Sequence, residues 1–112
     1  MTMTFRSKYR NTPLETPDGR FDSQKEYKRW CVLKMMAKSG LIHNLTRQKK
    51  YTLIPRQKAN GRTVNECYYI ADFVYEENGV VIVEDCKGVK TDVYRIKKKL
   101  MLWRYGIDIR ET

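Results

Sequence analysis

Tyr68–Gly88 reads YYIADFVYEENGVVIVEDCKG, and how this stretch folds back on itself decides the rest of the chain. Asn78-Gly79 lies between two apolar runs rich in β-branched and aromatic residues, the strongest short-range signal for a two-residue hairpin turn. With those two residues as the turn, Glu77 faces Val80, Tyr75 faces Ile82 and Asp72 faces Asp85. Side chains alternate along a strand, so Asp85 and Lys87 point the same way. The expected register sets two carboxylates directly opposite each other, roughly 4.5–5.5 Å apart at Cβ. A lysine follows one step along. Like charges so placed repel unless something neutralises them, and a divalent cation would do so.

Both faces of this hairpin are apolar. Parity puts Ile70, Val74, Val81 and Val83 with the two aspartates, and Tyr69, Ala71, Phe73, Val80 and Ile82 on the other side. Strands apolar on both faces belong in the middle of a sheet covered on both sides.

Working outward, Ser23-Gln24-Lys25-Glu26 is a capping-box pattern and predicts a helix from Gln24 to Lys38, closed by Ser39-Gly40. Tyr27, Trp30, Leu33 and Ala37, with Cys31 beside them, form its expected buried face. The cap alone accounts for Glu26. Leu41–Ile54 reads as an edge or partly exposed strand ended by Pro55. Residues 55–65, PRQKANGRTVN, hold three basic residues and no acid, and are expected to be a mobile loop that grips a phosphate backbone. After the hairpin, Thr91 caps a helix over Asp92–Tyr105 with an apolar stripe at Val93, Ile96, Leu100 and Trp103. Lys97, Lys98 and Lys99 splay around it. Gly106 stops this helix, and Ile107–Ile109 is expected to be a short last strand. Residues 1–20, with Arg6, Lys8, Arg10 and Arg20, read as an irregular basic arm. Residues 21–112 then form one domain of the α/β (α+β) class, a central mixed sheet flanked by helices.

Composition narrows the function. A chain of 112 residues with 41% apolar content supports one core and one domain. No apolar run approaches the roughly 18–20 residues of a membrane span, and MTMTFRSKYR holds no signal-peptide core, so a cytoplasmic protein is expected. Cys31, Cys67 and Cys86 lack metal-ligand spacing, and one histidine, His43, excludes mechanisms needing two. The net charge of +10 is uneven. Residues 66–86 carry six acids and no lysine or arginine, while the other 91 residues carry +16. Basicity of this size suits a polyanion such as nucleic acid, though a ribosome-binding or simply soluble basic protein would also carry it.

Paired acids with a lysine at Asp-x-Lys spacing fit metal-assisted phosphodiester hydrolysis. Carboxylates supply hard oxygen ligands for Mg²⁺, the metal activates water, and a lysine stabilises charge developing on phosphate. With Asp72, Asp85-Cys86-Lys87 after a hairpin and a helix on either side, the chain resembles the PD-(D/E)XK nuclease superfamily. It is similar in particular to small phage-borne members related to Holliday-junction resolvases and restriction endonucleases. Residue 71 is Ala where the name-giving motif has Pro, and Glu84 beside Asp85 offers a shifted assignment, but only Asp85 has both Lys87 two residues on and parity with Asp72. The resemblance covers residues 20–111 and implies a restriction-endonuclease-like αβββαβ core. It implies Mg²⁺ (or Mn²⁺) as cofactor, with Asp72, Asp85 and Glu26 as metal ligands and Lys87 as the catalytic lysine. The implied partner is DNA, including branched or recombination intermediates, in the host cytoplasm for a phage-encoded protein. Gln48, Lys49, Lys50, Arg56, Lys58, Arg62, Lys90, Lys97, Lys98 and Lys99 are the expected nucleic-acid contacts. Branched substrates would favour a homodimer. Two alternatives stay open: a non-catalytic basic DNA-binding protein on the same fold, and an aspartate pair that shares a proton.

Overall fold

Asn78 and Gly79 adopt φ of 53° and 77°, the left-handed pair that a two-residue hairpin turn of the primed type requires. A computed structural model describes residues 12–86 and 89–112 of the chain. In chain order the elements are β1 (Leu14–Thr16), β2 (Gly19–Phe21), α1 (Gln24–Lys38), β3 (His43–Ile54), β4 (Gln57–Ala59) and β5 (Arg62–Val64). They continue with β6 (Cys67–Glu77), β7 (Val80–Asp85), α2 (Asp92–Tyr105) and β8 (Arg110–Glu111). The main sheet has the order β3-β6-β7-β8. Its first three strands are antiparallel, and β8 runs parallel to β7. This is a mixed α+β fold with a four-stranded mixed sheet and two helices. Among the described residues, no helix is long and apolar enough to cross a membrane.

The helix boundaries follow the capping signals. Ser23 Oγ accepts from the Glu26 backbone N–H at 3.1 Å, and Thr91 Oγ1 does the same for Tyr94. Gly106, at φ 68°, closes α2. One core cluster packs α1 on the sheet, with Leu33, Trp30, Met36 and Ala37 against Phe73, Tyr75 and Ile82. A second packs α2 on the opposite face, with Tyr94, Met101 and Leu100 against Tyr51, Leu53, Tyr69, Ala71, Val74 and Val83. Trp30 stacks on Phe73 with ring centroids 5.9 Å apart.

Four expectations need correction. Residues 55–65 are not a free loop: β4 and β5 pair around Asn60-Gly61, whose φ values of 51° and 76° make the same kind of turn as Asn78-Gly79. The described part of the N-terminal arm is not irregular either, since β1 and β2 form a hairpin. It is tied down where Asp18 accepts from Trp30 Nε1 and Lys34 Nζ and Phe21 is buried. Arg6, Lys8 and Arg10 lie outside the described residues. The last strand forms at Arg110–Glu111 and not at Ile107–Ile109, because Ile109 is buried in the α2 cluster and Ile107 packs against it.

The fourth correction concerns the phase of α2. Tyr94 and Met101 are buried, while Val93, Ile96 and Trp103 are exposed. Polar side-chain tips set this rotation. Tyr94 donates its hydroxyl to Glu111 at 2.8 Å, and Lys98 reaches the Ile109 carbonyl at 3.2 Å. Their stems can then pack while their heads are satisfied.

Candidate active site

The hairpin register runs as expected from Glu77↔Val80 through Tyr75↔Ile82 to Phe73↔Glu84. The paired ladder ends there, one residue short of Asp72 and Asp85. There the Cys86 backbone N–H donates to Asp72 Oδ2 at 2.7 Å, binding the two strand ends together beyond the last ladder pair. Asp85 is fully buried and its Oδ2 accepts the Tyr69 hydroxyl at 2.6 Å. The carboxylates act on the same surroundings. The Tyr69 hydroxyl is pushed up first by burial, then by its bond to Asp85, and further by Asp72. Tyr94 is pushed up by burial, by its bond to Glu111, and by the charges of Asp85 and Asp72.

Sequence parity misassigned one side of this site. Tyr69 and Ala71 pack in the same cluster as Val74 and Val83, whereas Phe73 and Tyr75 pack against α1. The side-chain alternation of β6 therefore turns over at Asp72. On β3, Gln48 holds φ 55°, and the neighbouring strand turns over with it: the Arg47 guanidinium lies 3.6 Å from the Phe21 ring centroid on the α1 side, while Tyr51 and Leu53 belong to the α2 cluster. A left-handed φ costs a non-glycine residue roughly 1–2 kcal/mol. Because of the turnover, Asp72 is approached from both sides of the sheet.

From the α1 side comes Glu26, buried at 4% exposure. Gln48 Nε2 donates to Glu26 Oε2 at 3.3 Å. Burial first, then the charges of Asp72 and Asp22, push the Glu26 carboxyl up to about 7, against a smaller downward pull from a backbone hydrogen bond at Asp22 and the Arg47 charge. Glu26 is thus more than a cap residue. Its side chain is held in a hollow of about 200 Å³ lined by Arg20, Asp22, Arg47 and Gln48.

Glu84 is excluded from this group. It is fully buried, pairs with Arg29 Nε and Nη2 of α1 at 2.9 and 2.6 Å, and accepts the Tyr75 hydroxyl. Burial acts to raise its carboxyl, but the bonds from Arg29 and Tyr75 outweigh it and leave it below its ordinary value. Glu84 fastens β7 to α1. Lys87 lies outside the described residues. Among the described residues, no three Asp, Glu, His or Cys side chains converge as a ready-made metal cluster.

Residues 6–112 match the family described as Protein of unknown function (DUF1064). The chain belongs to DUF1064. No curated protein and no solved structure matches it.

The basic residues of this DUF1064 chain divide into three groups. Arg56, Lys58 and Arg62 are exposed on and beside the β4–β5 hairpin, with Lys58 Nζ bonded to Thr63 at 3.0 Å. Lys49 and Lys50 stand over the Tyr51 and Tyr68 rings. On and before α2, Lys90 and Lys98 pair with Glu111 at 3.7 and 3.3 Å, Lys97 approaches Tyr68, and Lys99 is exposed. Of the expected contacts, Gln48 touches a candidate ligand, Glu26. Tyr69, Tyr94 and the Cys86 N–H were missed by sequence reasoning. Tyr69 was assigned to the wrong face, and a backbone donor has no sequence signature.

Proposed function

We propose that this protein is a Mg²⁺- or Mn²⁺-dependent DNA endonuclease built on a restriction-endonuclease-like core. The observation that supports it most is the meeting of three acids at the strand ends: the Cys86 N–H donates to Asp72 Oδ2 next to the buried Asp85, and the first-helix Glu26 is close enough to Asp72 for its proton affinity to rise. These are hard oxygen donors of the kind Mg²⁺ takes, and Mg²⁺ is commonly held by only one or two carboxylates, the rest of its shell being water and substrate phosphate. Asp72 and Asp85 would hold the ion, and Glu26 would complete its surroundings. The ion would supply charge neutralisation at the phosphoryl oxygen and a more acidic water.

The chain's own residues carry the remaining tasks. Tyr69 and the Cys86 N–H orient the two aspartates. Gln48 holds Glu26 in place beside Asp72. Lys87, by the family resemblance, would balance charge on the phosphate. The basic charge of +16 outside residues 66–86 also suits a second reading, a DNA-binding protein that keeps the fold without the chemistry.

A nuclease assay with Mg²⁺ or Mn²⁺ on linear, flapped and four-way DNA separates the two. The proposal expects cleavage that Asp85→Ala abolishes. Lys87→Arg should still bind DNA and cleave on the order of a hundredfold more slowly, as a planar guanidinium cannot replace a compact ammonium. Wild-type protein that cleaves none of these forms establishes the binding reading.

A further inference from the structure

Tyr68 is exposed at 41% between residues that are not: Cys67 is half-buried and Tyr69 lies in the α2 core. Its ring lines two hollows. One, of about 270 Å³, is also lined by Ile70, Val93 and Lys97, by Thr91, and by the buried Tyr69 and Tyr94. The other, of about 550 Å³, is formed by Thr52, Pro55, Arg56, Asn65 and Glu66. Lys50 Nζ stands 4.7 Å and Lys97 Nζ 5.7 Å from the ring centroid. Glu66, the only acid lining either hollow, is already held by Lys50 at 2.8 Å and Thr52 at 3.1 Å.

We propose that Tyr68 is a stacking platform for unpaired nucleobases, with a single-stranded segment of nucleic acid running from the Arg56 hollow across the ring to the Lys97 hollow. The arrangement alternates as a single strand does. An aromatic face and the exposed side chains of Ile70 and Val93 suit bases, and Arg56 and Lys97 suit the phosphates between them. A duplex keeps its base faces stacked internally and has none to offer Tyr68. The inference rests on the reading above only in taking nucleic acid as the partner. It narrows the substrate to forms with unpaired nucleotides, such as flaps, junctions or open ends.

The test is binding in EDTA, so cleavage plays no part and a protein that never cuts can still pass. Affinities for a fluorescent oligothymidylate and for a blunt duplex of equal length are compared across wild type, Tyr68→Ala and Tyr68→Phe. The expected result is a loss of about tenfold or more in single-strand affinity for Tyr68→Ala, with duplex affinity and melting temperature unchanged. Tyr68→Phe, which keeps the ring, should bind the single strand as wild type does. The proposal falls if wild type does not bind the single strand, if Tyr68→Ala binds it equally well, or if Tyr68→Phe loses as much as Tyr68→Ala. It also falls if polyglutamate competes as well as the oligonucleotide, since the surface would then be reading charge alone.

Discussion

Glu26 shows how a residue with an ordinary local job acquires an unusual one. Its backbone N–H completes the cap of α1, while its side chain is buried beside Asp72 and its carboxyl rises to about 7. A carboxyl whose folded value lies above its unfolded one binds more protons when folded. Stability should therefore fall as pH rises from about 4.5 to about 7 and stay lowered above that. Glu26→Gln should flatten this slope and raise stability at pH 8 by about 1–3 kcal/mol, less about 0.3–1 kcal/mol for the lost helix-end charge. Urea unfolding at pH 5 and pH 8 measures it. Parallel pH profiles for mutant and wild type would refute the assignment. Tyr69→Phe makes the complementary case. It removes the donor to the fully buried Asp85, and leaving such an acceptor with one bond fewer should cost about 1–3 kcal/mol. If the site holds a divalent cation, Mg²⁺ should raise the melting temperature of wild type. Asp72→Asn should abolish that rise without destabilising the apo protein, and an equal rise in both would place the ion elsewhere. The capping role of Glu26 was legible in Ser23-Gln24-Lys25-Glu26. Its burial was not, because burial depends on what β3 lays over the first turn of α1.

At the scale of elements, boundaries were legible and orientations were not. Both helices begin and end where their caps predict, since a cap is a local contest for a few backbone N–H groups. The rotation of α2 is decided by β8, which lies beyond the helix in sequence. A mutant pair exposes the difference. Met101→Ala, in the core, should cost about 2–5 kcal/mol. Trp103→Ser, at 77% exposure, should change stability by no more than about 0.5 kcal/mol. Denaturant midpoints at constant m-value would decide, and a large loss for Trp103→Ser would mean that the apolar stripe read from the sequence is buried after all. The β4–β5 hairpin teaches a related point. Asn60-Gly61 carries the same turn signal as Asn78-Gly79, but its flanks are polar, so periodicity alone gave no strands to join.

For the whole molecule, charge is the property read most directly. The +16 outside residues 66–86 predicts DNA binding that weakens steeply with salt, each phosphate contact adding about −0.9 to the log–log slope on duplex DNA. Replacing Lys97, Lys98 and Lys99 by Gln should flatten that slope. Lys98, which already serves the Ile109 carbonyl and Glu111, should contribute less of the change than Lys97 or Lys99. Affinity indifferent to salt would point the basic surface at another partner.

The sequence by itself determined the helix limits, the central hairpin with its register, and the segregation of acid from base. Each depends on interactions between residues close in the chain, or on composition. Only the tertiary structure decided that β6 turns over at Asp72, that Glu26 is buried next to it, that Glu84 is held by Arg29 and that Tyr69 holds Asp85. Those pairs are separated by 46, 55 and 16 positions for Glu26–Asp72, Arg29–Glu84 and Tyr69–Asp85. On β3 the matching turnover carries a left-handed backbone at Gln48, a strained choice that packing on both faces of the sheet can sustain.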